Sequence, residues 1–318
     1  MRFQFYSEAL DSVPKLSIDG TVDNSIHFSH WQGNTTPAEV KADTSTEIAL
    51  NLVASPNYAA LTQGIELVTN NHFDADGVLS VWTVLNGKRA LAYRDLLIAA
   101  ADAGDFSEHS SDDGVRVSIA IQGSEQAGSD NDDASPLANW LAGAEVNDDA
   151  RAYELVLPEV EQLLSDVNAY ESLWREGWNH VALALESFAS GKSKVVELSG
   201  ISLINLEPGL QSPKTAIAKH ARGELFLTAT PAPEGWFYRL DYPFYSWAET
   251  VVRPPVERRD LKSAFLMLNT KDQDGSWVND NRELTSIARF VDTEGKMTAS
   301  RLPPDEVVAL LNAACMTL

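Results

Sequence analysis

Apolar and polar residues alternate or recur with two different periods along this chain, and the balance between them changes near residue 190. KLSIDG (15–20) and SIHFSHW (25–31) read as short strands, and GIELVTN (64–70) as a third. QGNTTPAEVKAD (32–43) reads as a loop, after which Asp43 or Thr44 caps a helix beginning TSTEIALNLVA, with Glu47 placed for a capping box. GVLSVWTVLNG (77–87) sets Val78, Val81, Trp82 and Leu85 on one helical face, and LAYRDLLIAAADAG (91–104) predicts a second helix ending at Gly104. Strand–loop–helix units of this kind predict an α/β layer whose functional loops lie at the carboxyl ends of the strands.

GSDNDDASP (128–136) reads as an exposed connection, and Pro158 opens one helix or two running to Gly191. Beyond it, KVVELSGISLINLE, GELFLTATPAP and GWFYRLDYPFYSWAE are rich in strand formers, with helices expected at about 260–270 and 304–315. The expected fold class is therefore α/β. Residues 1–190 form one domain with a mainly parallel sheet, and residues 191–318 a smaller α+β domain that could close over a substrate.

Composition narrows the classes. Hydrophobic residues make up 44% of the 318, enough for a sizeable core. The single cysteine, Cys315, rules out a disulfide framework or a cysteine-based metal site. The first residues show no basic stretch followed by an apolar run, and no apolar segment approaches the ~20 residues that span a bilayer, so a cytoplasmic protein without membrane partners is expected.

The net charge of −22 is uneven: residues 1–189 hold 9 basic and 30 acidic residues, residues 190–318 hold 15 and 16. The acidic half disfavours duplex nucleic acid. The second half supplies Arg253, Arg258 and Arg259, then Arg282, Arg289 and Arg301, as candidate guanidinium forks for an anionic substrate or as partners of neighbouring acids. The aromatic run from Gly235 to Trp247 could stack a base or fill a sheet core. Oligomeric state is not legible.

The chemistry concentrates at predicted strand ends. Asp19, His27, His30, Asp43, His72, Asp74 and Asp76 fall within 58 residues, including three of the six histidines. Carboxylate and imidazole together suit Mn²⁺, Fe²⁺, Zn²⁺ or Mg²⁺. Each residue also has a plain structural use: Asp76 or Asp43 as a helix cap, Asp74 and Asp19 as turn residues, His27 as a packed strand histidine. Gly77 would let the backbone turn tightly into the helix. An EF-hand is excluded, because Thr83 stands where the twelfth loop position needs Glu. No Walker loop, nucleophile elbow or His-Glu-x-x-His is present.

VTNNHFDADGVLSVWTVL resembles the first motif of the DHH (RecJ-like) phosphoesterases, in which a strand delivers Asp-x-Asp, often after a His, into a helix. The earlier block, with Asp19 ending one strand, Ser29-His30-Trp31 ending the next and a helix from Ser45-Thr46, resembles the Asp-His-His motif of that superfamily. The resemblance covers roughly residues 15–105. It departs from the family in three ways: the two blocks come in reversed order, only one His of the Asp-His-His motif survives and its Asp is Ser29, and no Gly-Gly-Gly-His follows.

The resemblance implies Asp19, His30, His72, Asp74 and Asp76 as ligands of Mn²⁺ or another divalent cation, with Asp105 for the family's last aspartate. It implies hydrolysis of a phosphoester or phosphoanhydride in a small, nucleotide-like substrate, with His30, Asp74 and Asp76 at the reacting centre. It also points to an uncharacterised bacterial family. Two alternatives stand beside it. One is a non-enzymatic protein of the same fold that binds a nucleotide or a partner. The other is a phosphatase resembling the haloacid dehalogenases, with Asp74 as nucleophile and Asp76 as acid/base, for which FDADGVL (73–79) is the matching stretch. Ligands more than ~7 Å apart would exclude any metal reading, since donors sit ~2–2.6 Å from an ion.

Overall fold

In the computed structural model, four parallel strands open the chain: β1 (Arg2–Phe3), β2 (Lys15–Ile18), β3 (Ser25–Phe28) and β4 (Leu67–Thr69), in the order β1-β4-β2-β3. The structure describes residues 1–123, 135–272, 274–280 and 284–315. All four residues of β2 are buried, as a central parallel strand covered on both faces requires. Its register, Leu16 opposite both Ile26 and Val68, brings the carboxyl ends of β2, β3 and β4 level. Asp19, Ser29-His30 and Asn70–Asp74 leave the sheet there, side by side.

Helices follow: α1 (Ser45–Ala54), α2 (Tyr58–Leu61), α3 (Ala75–Asn86), α4 (Arg94–Phe106), α5 (Asp112–Gln122), α6 (Pro136–Ala142), α7 (Asp149–Val156), α8 (Val160–Ser165) and α9 (Glu171–Ala189). Packing pairs α1 with α3 and α4 with α5. Ile48, Leu52 and Leu97 are buried, but α3 is buried all round from Ala75 to Val84 while Leu85 is half-buried, so Val78, Val81 and Trp82 do not mark a single core-facing stripe as the sequence period suggested. Asp105 belongs to the last turn of α4 rather than to a turn after it. Most of the expected connection at 128–136 lies outside the described residues; its end, Ser135, caps α6 with Pro136 in the first turn.

Two compact units result. One comprises Met1–Asn179 with Trp247–Pro254, the other His180–Ser246 with Pro255–Leu318. The change in sequence character near 190 marks the end of α9. The units part earlier, within that helix, because its last turns contribute Ala184 and Phe188 to a core of the second unit. The assignment of 247–254 to the first unit has no sequence signal.

The second unit is built on a mixed sheet of β5 (Lys194–Leu198), β6 (Ile201–Asn205), β7 (Leu225–Ala232), β8 (Gly235–Asp241), β9 (Ser276–Asn279) and β10 (Ser286–Val291), in the order β5-β6-β7-β8-β10-β9. Only β6 and β7 pair in parallel. Leu225 and Leu227 of β7 face one apolar cluster and Phe226 the other, the period of a strand buried on both sides. Helices α10 (Lys214–His220), α11 (Lys262–Lys271) and α12 (Pro304–Cys315) complete the unit. The aromatic run at 235–247 goes mostly to these cores, with Tyr238 and Tyr242 in one and Phe244 in the other, while Trp247 belongs to the first unit. The molecule is mixed α/β, and no described helix is long and apolar enough to cross a membrane.

Candidate metal centre

Asp19 leaves β2 with φ of +63°, a left-handed conformation that aspartate tolerates better than most residues. Its side chain is fully buried, and its two oxygens face different neighbours. Oδ1 accepts a hydrogen bond from Ser45 Oγ at 2.7 Å and lies 3.5 Å from His30 Nε2. Oδ2 lies 2.9 Å from His72 Nε2.

Around Oδ1 a buried set forms. His30 is completely buried at the end of β3, with Nε2 3.0 Å from Asp105 Oδ2 and 3.9 Å from Asp76 Oδ2. Its Nδ1 meets the backbone carbonyl of Asp43 at 2.7 Å. A carbonyl only accepts, so Nδ1 carries the proton and the Nε2 lone pair of the neutral ring is left to face the acids. Asp76 sits in the first turn of α3, fully buried. Its oxygens accept the backbone N–H groups of Ser45 and Thr46, both at 2.7 Å, at the start of α1. The N-terminal dipole of one helix thus holds a carboxylate of another.

Around Oδ2 lies a second, more open set. Asp74 caps α3, accepting from the Gly77 N–H at 2.7 Å through Oδ1, and presents Oδ2 to His72 Nε2 at 3.1 Å. The side chains of His72 and Asp74 are 30% and 28% exposed, against 0% and 6% for His30 and Asp105, so only this second set reaches solvent. His72 Nδ1 is 3.1 Å from Asn71 Oδ1, which turns Nε2 inward as Asp43 does for His30.

Asp19, His30, Asp76 and Asp105 offer donor atoms within 4.8 Å of one another, and so do Asp19, His72 and Asp74. Donors at 2.0–2.6 Å from one ion stand no more than about 5 Å apart, so both sets have the dimensions of a cation site. Asp19 Oδ2, His30 Nε2 and His72 Nε2 are buried and make no hydrogen bond. Their short distances to carboxylates lack hydrogen-bond direction; the atoms aim at shared space rather than at each other. Orphaned buried donors and acceptors are costly, and a cation between them removes the cost.

The electrostatics agree. Burial disfavours a charged His30, but Asp105, Asp76 and Asp19 outweigh it and push the ring up to about 10. Burial likewise opposes charge on His72, and Asp74 and Asp19 push it up to about 12. Burial and the neighbouring Asp19 lift Asp76 to about 7, partly countered by His30. Burial, with Asp74 and Asp76, raises Asp105 well above the carboxylate range. Asp19 alone is drawn down: the two histidines outweigh its burial. The surrounding acids thus favour positive charge at this cluster.

All six residues read as ligands from the sequence converge here. Arg253 does not join them. Arg253 has four of its five N–H groups committed: to Glu108 at 2.9 and 2.7 Å, to Asp43 at 2.9 Å and to Asp102 at 2.8 Å. It is a structural tie rather than a free phosphate ligand. Arg258 lies over the Tyr242 ring at 4.2 Å, and Arg259 pairs with Glu224; both belong to the second unit. Arg282 lies outside the described residues. His27 stays on β3 with Nε2 near the Val22 carbonyl at 3.1 Å, a strand histidine.

Sequence reasoning named Ser45-Thr46 only as a helix start and missed that they hold the carboxylates; it missed Asn71 and the Asn70–Tyr153 pair, joined at 2.9 Å, altogether. Gly77 also has a different reason from the one expected. Its φ is not positive; a Cβ there would stand 2.5 Å from Asn70 Nδ2 and 2.7 Å from the Tyr153 hydroxyl.

The chain belongs to the family of unknown function DUF6687, whose profile matches residues 1–316. No curated protein matches it.

Proposed function

We propose that this chain is a divalent-metal-dependent hydrolase of a phosphoester or phosphoanhydride, related to the DHH phosphoesterases and using Mn²⁺ or a similar cation. The observation that carries this reading is the shared carboxylate: Asp19 gives one oxygen to the buried set and the other to the open set. A carboxylate between two ligand sets is what a two-ion centre needs. Cations held there would polarise a phosphoryl oxygen and lower the pKa of water.

The residues divide the work. Asp19, His30, Asp76 and Asp105 would hold the inner ion out of solvent, with Ser45 and Thr46 fixing the carboxylates in place. Asp19, His72 and Asp74 would hold the outer ion, and their exposure leaves it room for substrate. Substrate affinity should depend on metal, because the cations would supply the counter-charge to the phosphoryl oxygens. Trp31, whose ring is 5.8 Å from that of His72 and packs on Trp247 at 4.7 Å, gives the open side an apolar wall suited to a nucleotide-like substrate.

The geometry disfavours Asp74 as a covalent nucleophile with Asp76 as acid. Asp76 is sealed from solvent with both oxygens occupied by backbone N–H groups, where it reaches no leaving group. The non-catalytic reading has one observation in its favour, the engagement of Arg253, which leaves no described arginine of the first unit aimed at the centre.

The test is Mn²⁺ content and affinity of chelator-stripped protein beside Asp74→Asn/Asp76→Asn, at moderate salt, followed by a phosphoester and phosphoanhydride screen. Stoichiometric Mn²⁺, lost in the variant, with metal-dependent phosphate release supports the proposal. Equal weak binding by both proteins sinks it, and tight binding without turnover on any substrate leaves the binding-protein reading.

A further inference from the structure

The stretch Trp247–Pro254 enters the first unit as a strap laid against the buried ligand set. It touches His30 twice: the Glu249 N–H donates to the His30 carbonyl at 2.8 Å, and the Trp247 ring meets the imidazole edge-on at 5.0 Å. A third connection runs through Asp43. The Asp43 carboxylate collects the backbone N–H groups of Val251, Val252 and Arg253 and the Arg253 guanidinium, while its own carbonyl holds His30 Nδ1. The other side of that guanidinium grips Asp102 and Glu108, which flank Asp105 on and just beyond α4. Phe106, next to Asp105, lies under the same guanidinium at 4.8 Å.

We infer that the 247–254 strap is part of the metal centre and that Arg253 is a positioning residue, fixing His30 through Asp43 and Asp105 through Asp102 and Glu108. This rests on the reading of the cluster as a metal site. His30 and Asp105 come from elements 75 residues apart in sequence and meet only at their tips. Their side chains stand 3.0 Å apart without hydrogen-bond alignment. The fork of Arg253 spans the two supports. A lysine would supply the charge without the fork, and could not grip three carboxylates in fixed directions. Outer residues that orient ligands typically carry 10–100-fold of metal affinity. The open set, His72 and Asp74, has no contact with the strap through these carboxylates and should be indifferent to it.

The experiment uses the full chain. Chelator-stripped wild type, Arg253→Met, Arg253→Lys and Glu108→Gln are titrated with Mn²⁺. Each is repeated in a His72→Ala background so that the buried set is read alone, with the Co²⁺ absorption spectrum reporting ligand geometry. Arg253→Met is expected to weaken the buried site on the order of 10–100-fold and to change its Co²⁺ spectrum, with the open site shifted less than about threefold. Arg253→Lys should recover only part of the loss. Glu108→Gln, which leaves the bonds to Asp43 and Asp102 in place, should move the same site in the same direction by less. A role confined to folding would lower the melting temperature and leave affinity and spectrum unchanged; that result overturns the inference. Should Arg253→Met not fold, wild-type affinity and spectrum in both Arg253→Lys and Glu108→Gln would overturn it equally. Absence of Mn²⁺ uptake by the wild type is a different failure, that of the metal reading itself, and shows before any substitution is made.

Discussion

Asp19 Oδ2 and His72 Nε2 stand 2.9 Å apart with no hydrogen bond between them. Both atoms are buried, and charge attraction rather than an aligned hydrogen bond offsets their desolvation. The same aspartate holds a left-handed backbone angle and supplies both ligand sets. A left-handed backbone angle and poorly satisfied buried polar atoms on one residue are the marks of a functional position.

Asp19→Asn separates charge from backbone preference, because asparagine accepts the left-handed region at least as well. The variant should fold with a melting temperature within a few degrees of wild type. It should lose at least one equivalent of Mn²⁺ and bind any remaining equivalent at least about tenfold more weakly. Metal analysis after gel filtration, with the melting curve beside it, decides this. Retention of two tight equivalents would show that Asp19 bridges nothing.

The two histidines should respond differently to removal. His72 is partly exposed and His30 sealed, with the Trp247 and Phe106 rings against it. His72→Ala should cost one metal equivalent and less than about 1 kcal/mol of stability. His30→Ala should also open a cavity and orphan the Asp43 carbonyl, at roughly 2–4 kcal/mol. Urea unfolding of both metal-free variants gives the comparison. Equal stability losses would contradict the assignment of an inner and an outer site.

Gly77→Ala tests a steric claim. Alanine favours a helix over glycine by about 1 kcal/mol, so a free position would gain stability. Here the added Cβ meets Asn70 Nδ2 and the Tyr153 hydroxyl, both buried and bonded to each other, with Asp74 Oδ1 at 3.0 Å behind them. Overpacking should win, destabilising the chain by about 1–3 kcal/mol and weakening Mn²⁺ through Asp74. A stabilised variant with unchanged metal binding would refute the account.

The ligands were legible because each sits at a strand end or helix start that short-range pattern marks: Asp19 after KLSI, His30 after SIHF, His72 to Asp76 between β4 and α3. The parallel sheet then does the assembly, since level strand ends place residues 19, 30 and 72–76 together. Asp105 was less legible, because Gly104 reads as the end of the helix and nothing local shows that α4 runs on to Phe106 and carries Asp105 in its last turn. Arg253 carried the opposite error. An arginine beside two prolines in a basic region looks available, and nothing local shows that Asp43, Asp102 and Glu108, more than 140 residues away, consume its donors. The strap was illegible for the same reason: its bonds are almost all long-range, made by backbone N–H groups that every sequence possesses.

Asp102 supplies a pH-dependent prediction from a group that is not itself a ligand. Burial lifts its carboxyl to about 6; Arg253 pulls it down and Glu108 pushes it further up. In the unfolded chain it titrates near 3.9. A folded pKa above the unfolded one means the native state prefers the proton. The resulting stability is fully present below about pH 3.9, is lost as pH rises to about 6, and is constant above. At about 1.4 kcal/mol per pH unit the loss is on the order of 2–3 kcal/mol. Asp102→Asn keeps a carbonyl to accept from Arg253 and cannot ionise. Urea unfolding of wild type and variant from pH 4 to 8, with chelator present so that metal uptake adds no slope, should show wild type losing that much relative to Asp102→Asn between pH 4 and 6.5. Above that the two curves should run parallel. A difference that grows in favour of wild type with rising pH would mean that the guanidinium outweighs burial, and that Arg253 holds Asp102 ionised throughout.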